Sequence, residues 1–314
     1  MITITILGNN SALPAHGRLP SSQIVAIRDQ HFMVDCGEGT QMQLQKLGMG
    51  WGKIEHIFIS HLQGDHYFGL IGLVTSMNLL NRALPLNIYG PPELEQILQI
   101  QLSIGGGTLN YPLFFHPVAN AGEHRILLDT PYYSVSCFPV MHRIPCHGFK
   151  FTAKSTGRKI IPEACREYGI PRYFYARLKE GMDYIRKDGE VIRNEWVTAA
   201  PQPEPTYAYC ADTVFTDSFI PYIQGCHTIY HETTYLKKDE DKAMLRFHCT
   251  THQAAATACS AGVARLLTGH HSSRYEHISE FEAEAKEIFS NTIATQSGDV
   301  FTIRYEDVAP PQGI

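Results

Sequence analysis

The residues best suited to chemistry lie in one short stretch, Ile57-Phe58-Ile59-Ser60-His61-Leu62-Gln63-Gly64-Asp65-His66-Tyr67-Phe68-Gly69. Residues 56–60 form an apolar run that reads as a buried strand, and residues 69–80 read as an apolar helix. Between them, His-x-x-x-Asp-His puts two imidazoles and a carboxylate on a single turn, where they can converge on a metal. Neutral imidazole and carboxylate suit zinc, and three protein ligands plus water make a catalytic site. The plainer alternative is a polar turn capping a helix; groups supplied later in the chain weigh against it.

The elements that must position this turn alternate between strand and helix. Residues 2–7, 23–27 and 30–35 read as strands, 40–46 as a short helix and 86–89 as a strand. Pro91-Pro92-Glu93-Leu94 starts a helix to about residue 102, with proline tolerated in its first turn. Residues 132–140 alternate and end at Met141-His142-Arg143. In the second half, 206–210 reads as a strand ending at Asp212, and 227–230 as one ending at His231-Glu232. A helix over about 252–261 precedes a strand over 265–268 that ends at His270. The alternation indicates an α/β layer architecture, with polar ligand candidates just beyond several strands, where α/β proteins place ligand sites.

Composition bounds the class. With 314 residues, 44% hydrophobic and 18% charged, the chain can bury a large core. No run of about 18 apolar residues appears, so no membrane span is expected. Met1-Ile2-Thr3-Ile4-Thr5-Ile6 alternates like a strand and lacks the basic start and cleavage site of a signal peptide. The eight cysteines are scattered without a Cys-x-x-Cys pair and read as reduced thiols of a cytoplasmic protein. The net charge of -5 is unevenly spread: residues 143–193 hold 12 Lys/Arg against 6 Asp/Glu, a local +6 that leaves -11 elsewhere. Such a basic segment attracts polyanions; a solvated surface insertion is the plainer explanation of the charge.

That basic segment, about 154–196, is rich in Lys, Arg, Tyr and Gly and reads as an arm inserted into a single domain spanning 1–314. Lys187-Asp188-Gly189-Glu190 marks a hairpin turn within it, and Pro201-Gln202-Pro203-Glu204-Pro205 is a stiff connector back to the body.

His61-Leu62-Gln63-Gly64-Asp65-His66 resembles the His-x-His-x-Asp-His signature of the metallo-β-lactamase fold, with Gln63 where the second His belongs. Asp35-Cys36-Gly37-Glu38-Gly39-Thr40-Gln41, Ala211-Asp212-Thr213, His231-Glu232-Thr233, His248 to Ala255 and His270 to Tyr275 are similar to ribonuclease Z, in that family's order. The resemblance implies an αββα sandwich with a protruding basic arm, and a metal-dependent endonuclease acting on precursor tRNA 3′ of the discriminator nucleotide. It implies that one zinc takes Asp65, His66 and His270, that the other takes His61, the Gln63 position and His142, and that Asp212 bridges them. Asp65 would also orient or deprotonate the attacking water. His248 would protonate the leaving fragment or stabilise the transition state, and Glu232 would hold His248 or a ligand from behind. Ser272, Ser273 and Arg274 would bind the substrate phosphate. The family usually works as a homodimer.

Two departures alter those expectations. A Gln carbonyl is a poor zinc ligand, so one firmly bound zinc is expected at Asp65/His66/Asp212/His270, with the neighbouring site weak or empty, or taking manganese. The arm lacks the family's Gly-Pro pair, but Arg172, Arg177 and Lys179 interleave with aromatics and suit RNA. Of the 16 histidines, His16, His31, His56, His116, His124, His147, His227 and His277 read as ordinary, and His231 as structural. The rival readings are another hydrolase of the same fold acting on small diesters, and an RNA-binding partner protein with weakened catalysis.

Overall fold

The alternating Ile-Thr segment at the N-terminus forms the strand Ile2–Gly8, yet Thr5 is buried as well as its isoleucines, because this strand lies inside a sandwich. The computed structural model describes residues 1–104, 107–118 and 123–308. The first sheet runs in the order Val300–Ile303, Ile2–Gly8, Ser22–Ile27, Gln30–Cys36, Ile54–Phe58, Leu86–Gly90, Leu113–Pro117. The second runs Thr292–Ala294, Arg265–Gly269, Thr228–Glu232, Thr206–Tyr209, Cys146–Ala153, Tyr133–Val140, Arg125–Asp129. In each sheet one side pairs antiparallel and the other parallel. The two halves are therefore alike in topology, as the order of elements suggested.

Period-two alternation assigns the layers. Phe58 enters the core between the sheets while its neighbours Ile57 and Ile59 enter the core under the helices. Across the sheets Phe58 meets Phe149 at 5.4 Å and Phe32 meets Phe151 at 5.6 Å between ring centroids. On the outer face of the first sheet, Leu70, Leu73 and Val74 of the helix Leu70–Leu79 and Leu94 of the helix Glu93–Ile104 cover Met33, Ile57 and Ile88. The helices Thr251–Ser260 and Ser279–Lys286 cover the second sheet. The result is the expected αββα sandwich.

Several boundaries differ from the sequence reading. The ladder of the site-bearing strand spans Ile54–Phe58, although Ile59 still donates its N–H to Tyr89 at 2.8 Å. The helix expected from residue 69 is preceded by a separate turn of helix, Gly64–Tyr67. The strands Leu113–Pro117, Arg125–Asp129, Cys146–Ala153, Thr292–Ala294 and Val300–Ile303 and the helix Ser279–Lys286 had no expectation attached.

The basic segment lies between Cys146–Ala153 and Thr206–Tyr209, which are adjacent in the second sheet. Lys159–Ile160 pairs with Thr198–Ala199 at its base, and the turn at Gly189 joins Tyr184–Ile185 to Val191–Ile192. Cys165, Ile170, Leu178, Ile192 and Val197 give it a small core of its own.

Two glycines let the site-bearing turn lie flat on the end of the strand Gln30–Cys36. Gly69 donates its N–H to the Cys36 carbonyl at 2.9 Å. A Cβ on Gly69 would stand 2.2 Å from the Gly37 carbonyl oxygen, and one on Gly37 would stand 2.4 Å from the Asp65 carbonyl oxygen. Both collisions are with backbone, which cannot swing away. Gly69→Ala is predicted to destabilise the fold by about 1–3 kcal/mol and to weaken metal binding with it. A thermal melt and metal titration indistinguishable from wild type would refute this packing account.

Candidate active site

Strand ends supply most of the site. The turn after Ile54–Phe58 carries Ser60, His61, Asp65 and His66, and His142 follows Tyr133–Val140. Asp212 follows Thr206–Tyr209, Glu232 closes Thr228–Glu232, and His270 follows Arg265–Gly269 in the left-handed region at φ 56°. His61, His66 and Asp212 are wholly buried, whereas Gln63, Asp65, His248 and His270 line a cavity of about 790 Å³.

Four ligand atoms converge at its floor. His66 Nε2 and His270 Nε2 stand 3.4 Å apart. Asp212 Oδ2 lies 3.4 Å from the former and 3.3 Å from the latter. Asp65 Oδ2 lies 3.8 Å and 3.3 Å from the same two nitrogens. The opposite nitrogens already have partners. His66 Nδ1 donates to Asp35 at 2.7 Å. Thr234 Oγ1 gives its own proton to Glu232 at 2.6 Å and so accepts from His270 Nδ1 at 2.9 Å. Each Nε2 therefore presents a lone pair, and neither oxygen of buried Asp212 accepts a hydrogen bond among the described residues. A tetrahedral ion with ligands at about 2.0–2.1 Å requires ligand–ligand edges of roughly 3.3–3.4 Å. These residues fit a zinc-sized cation.

Electrostatics lead to the same place. Burial raises the Asp212 carboxyl, but the imidazoles of His270 and His66 bring it well below the usual range. Burial likewise works against ionisation of Asp65, and His66 and His270 outweigh it. His66 is disfavoured as a cation by burial, yet Asp212, Asp35 and Asp65 together draw it well above an ordinary histidine. Three carboxylates around one buried imidazole call for a positive charge.

The second expected position is different. His61 Nε2 and His142 Nε2 each lie 3.0 Å from the Gln63 amide, with Asp212 Oδ2 farther from His61, at 3.7 Å. His61, His66 and Asp212 form another group of ligand atoms close enough to share an ion, but Gln63 is the nearer partner of His61. Burial, aided by His66, lowers His61 to about 3, and burial also lowers His142.

His248 sits beside the four-ligand centre, its Nδ1 2.8 Å from Glu232 and 3.9 Å from Asp212. Burial opposes its protonation, but the Glu232 carboxylate raises it to about 9. Burial raises Glu232 in turn, and His248 brings it net downward. Glu232 also accepts the backbone N–H groups of Thr213 at 3.2 Å and Thr234 at 3.0 Å. It thus holds His248 directly and His270 through Thr234.

Ser272, Ser273 and Arg274 line the cavity, joined by Arg143 and Arg246. Arg172, Arg177 and Lys179 are exposed on the arm, and no arm residue lines the cavity. Sequence reasoning gave no role to Asp35, Thr234, Arg143 or Arg246. Asp35 and Arg143 had a signal, the first in the Asp-Cys-Gly turn of the family resemblance and the second adjoining His142.

Solved structures share this architecture. Human tRNase Z, short form, aligns with a TM-score of 0.71 at 24% identity, covering 96% of this chain and 99% of that one. The metallo-β-lactamase fold protein YhfI of Bacillus subtilis aligns at 0.67 with 18% identity, covering 96% and 98%. Fold and site thus define a protein of the metallo-β-lactamase fold with a centre that fits a metal ion. Residues 2–141 match the family described as Anti-Pycsar protein Apyc1. Matches of nearly full length lie elsewhere. Ribonuclease Z of Bacteroides fragilis is 41% identical over 288 residues, 92% of this chain and 94% of that protein. Ribonuclease Z of Parabacteroides distasonis is 41% identical over 295 residues, 94% and 97%. The chain belongs to the ribonuclease Z family.

Asp35 orients both His66 and the turn that bears it. Asp35→Asn is predicted to weaken metal binding about 10–100-fold, measured by competition with a chelating dye. Unchanged affinity in a folded variant would remove Asp35 from the site.

Proposed function

We propose that this chain hydrolyses the phosphodiester 3′ of the discriminator nucleotide in precursor tRNA, leaving a 3′-hydroxyl on the tRNA. The observation that carries this reading is the four-ligand centre with His248 at its edge, on a chain that matches proteins named Ribonuclease Z over more than nine-tenths of its length. Zinc held by Asp65, His66, Asp212 and His270 would supply the Lewis acidity that activates water and neutralises the phosphate.

The chain's own groups do the rest. Ala12 donates its N–H to Asp65 at 2.7 Å and fixes a carboxylate able to orient the attacking water and take its proton. Because the tRNA keeps a 3′-hydroxyl, the oxygen leaving phosphorus is the discriminator O3′, and protonated His248 donates to it. Such a positioned acid contributes roughly 10²–10⁴-fold. Ser272, Ser273 and Arg274 bind the phosphate from the cavity wall. The arm binds the tRNA body through Arg172, Arg177 and Lys179, with Tyr173, 80% exposed, offering a stacking face. Since no arm residue lines its own cavity, a homodimer in which one subunit's arm serves its partner's tRNA is the proposed working form.

The test is cleavage of a precursor tRNA with both product ends mapped. Wild type cuts after the discriminator, and His248→Ala loses about 10²–10⁴ in rate with its metal content unchanged. Cleavage of small diesters without any of precursor tRNA would overturn the nuclease reading. Replacing Arg172, Arg177 and Lys179 with alanine raises KM for precursor tRNA and flattens its salt dependence, by up to about three phosphate contacts. Hydrolysis of a small diester is untouched. An unchanged salt slope would show that the arm does not grip RNA.

A further inference from the structure

We infer that Gln63 and Arg143 together replace a second metal ion: the Gln63 amide closes the His61/His142 position, and the Arg143 guanidinium supplies the positive charge there. The hydrogen-bond network places the ring proton of each histidine on Nδ1. Ser60 Oγ donates to Asp35 at 2.9 Å, so it accepts from His61 Nδ1 at 3.0 Å, which leaves His61 Nε2 as a bare acceptor. His142 Nδ1 faces the Phe247 carbonyl at 2.9 Å, which can only accept, so His142 Nε2 is a bare acceptor too. Two bare acceptors require the Gln63 NH₂ rather than its carbonyl to face them, and in that orientation it donates to each at 3.0 Å. Its carbonyl turns the other way and accepts from Arg143 Nε at 2.7 Å and from Arg143 Nη2.

The two lone pairs that a metal would require are thus both taken by N–H donors. An ion entering here would have to expel an amide that makes four hydrogen bonds and would gain only neutral ligands besides the shared Asp212. The residues do not fit a second cation, in contrast to the orphaned Asp212 oxygens a few ångströms away.

Arg143 follows from the same geometry. A carbonyl held by Nε and one Nη leaves the other Nη unengaged by Gln63, and Arg143 lines the cavity that Asp65, His248 and His270 open into. A guanidinium cannot be deprotonated at working pH and presents a planar fork to phosphate oxygens. Gln63 is therefore a positioning residue and Arg143 the group that meets the substrate. Arg143's role rests on the phosphodiesterase reading; the closure by Gln63 does not.

The experiment measures metal per chain by plasma mass spectrometry on protein purified without chelator. It is run beside hydrolysis of bis(p-nitrophenyl) phosphate and cleavage of precursor tRNA. Wild type should hold one equivalent, Gln63→His should hold two, and Arg143→Ala should hold one while kcat on both substrates falls about 10²–10³-fold. Arg143→Lys should recover part of that loss, having the charge without the fork. Two equivalents in wild type would overturn the closure, independently of how any variant folds. Full activity in Arg143→Ala would overturn the cation role. One equivalent in wild type, with slow diester hydrolysis by Arg143→Ala and no tRNA cleavage at all, would uphold this inference and sink the nuclease instead.

Discussion

The Asp35 carboxylate holds the two sheets and the turn after Ile54–Phe58 in one register. Four donors reach it: the Ser60 N–H at 2.8 Å, the Ser60 hydroxyl at 2.9 Å, His66 Nδ1 at 2.7 Å and the Tyr209 hydroxyl at 2.7 Å. The first three belong to the turn after Ile54–Phe58, and Tyr209 ends a strand of the opposite sheet. A buried carboxylate is tolerable only when its lone pairs are filled, so losing one partner raises the penalty on the rest. Asp35 itself is held at φ 56°, a conformation few side chains adopt, which bends the backbone to aim the carboxylate inward.

Much of this was legible in the sequence, for a reason that also sets its limit. Strands buried on both faces write long apolar runs, and the residue after each run is placed by the strand itself. His142, Asp212 and His270 could therefore be placed just beyond strands, and the family resemblance assigned all three to the metal site. Cys146–Ala153 escaped because Gly148 and Lys150 break its apolar run, and Val300–Ile303 because an edge strand is short and half exposed. Arg246 and Thr234 escaped for another reason. Their roles arise from approaches between segments distant in the chain, which no local pattern records. The Gln63 departure was visible as a missing ligand; that its amide would cap both neighbouring imidazoles required coordinates.

Charge organises the cavity on two scales. At the floor, Asp65 and Asp212 face His66 and His270 and attract a cation. At the rim, Arg143, Arg246 and Arg274 set fixed positive charge on a protein whose overall charge is -5. A phosphodiester approaching the rim meets guanidinium before it reaches the acidic floor.

The pairing of Val300–Ile303 with Ile2–Gly8 has a consequence for how the chain comes off the ribosome. The first sheet can assemble from the N-terminal third, but the edge at Ile2–Gly8 stays uncovered until Val300–Ile303 is translated. An open edge is a template for pairing with another nascent chain. Arg265–Gly269 and His270, which complete the ligand set, also emerge late. Completion of the ligand set and closure of that edge therefore both wait on residues 265–303, and a polypeptide truncated before His270 would lack both.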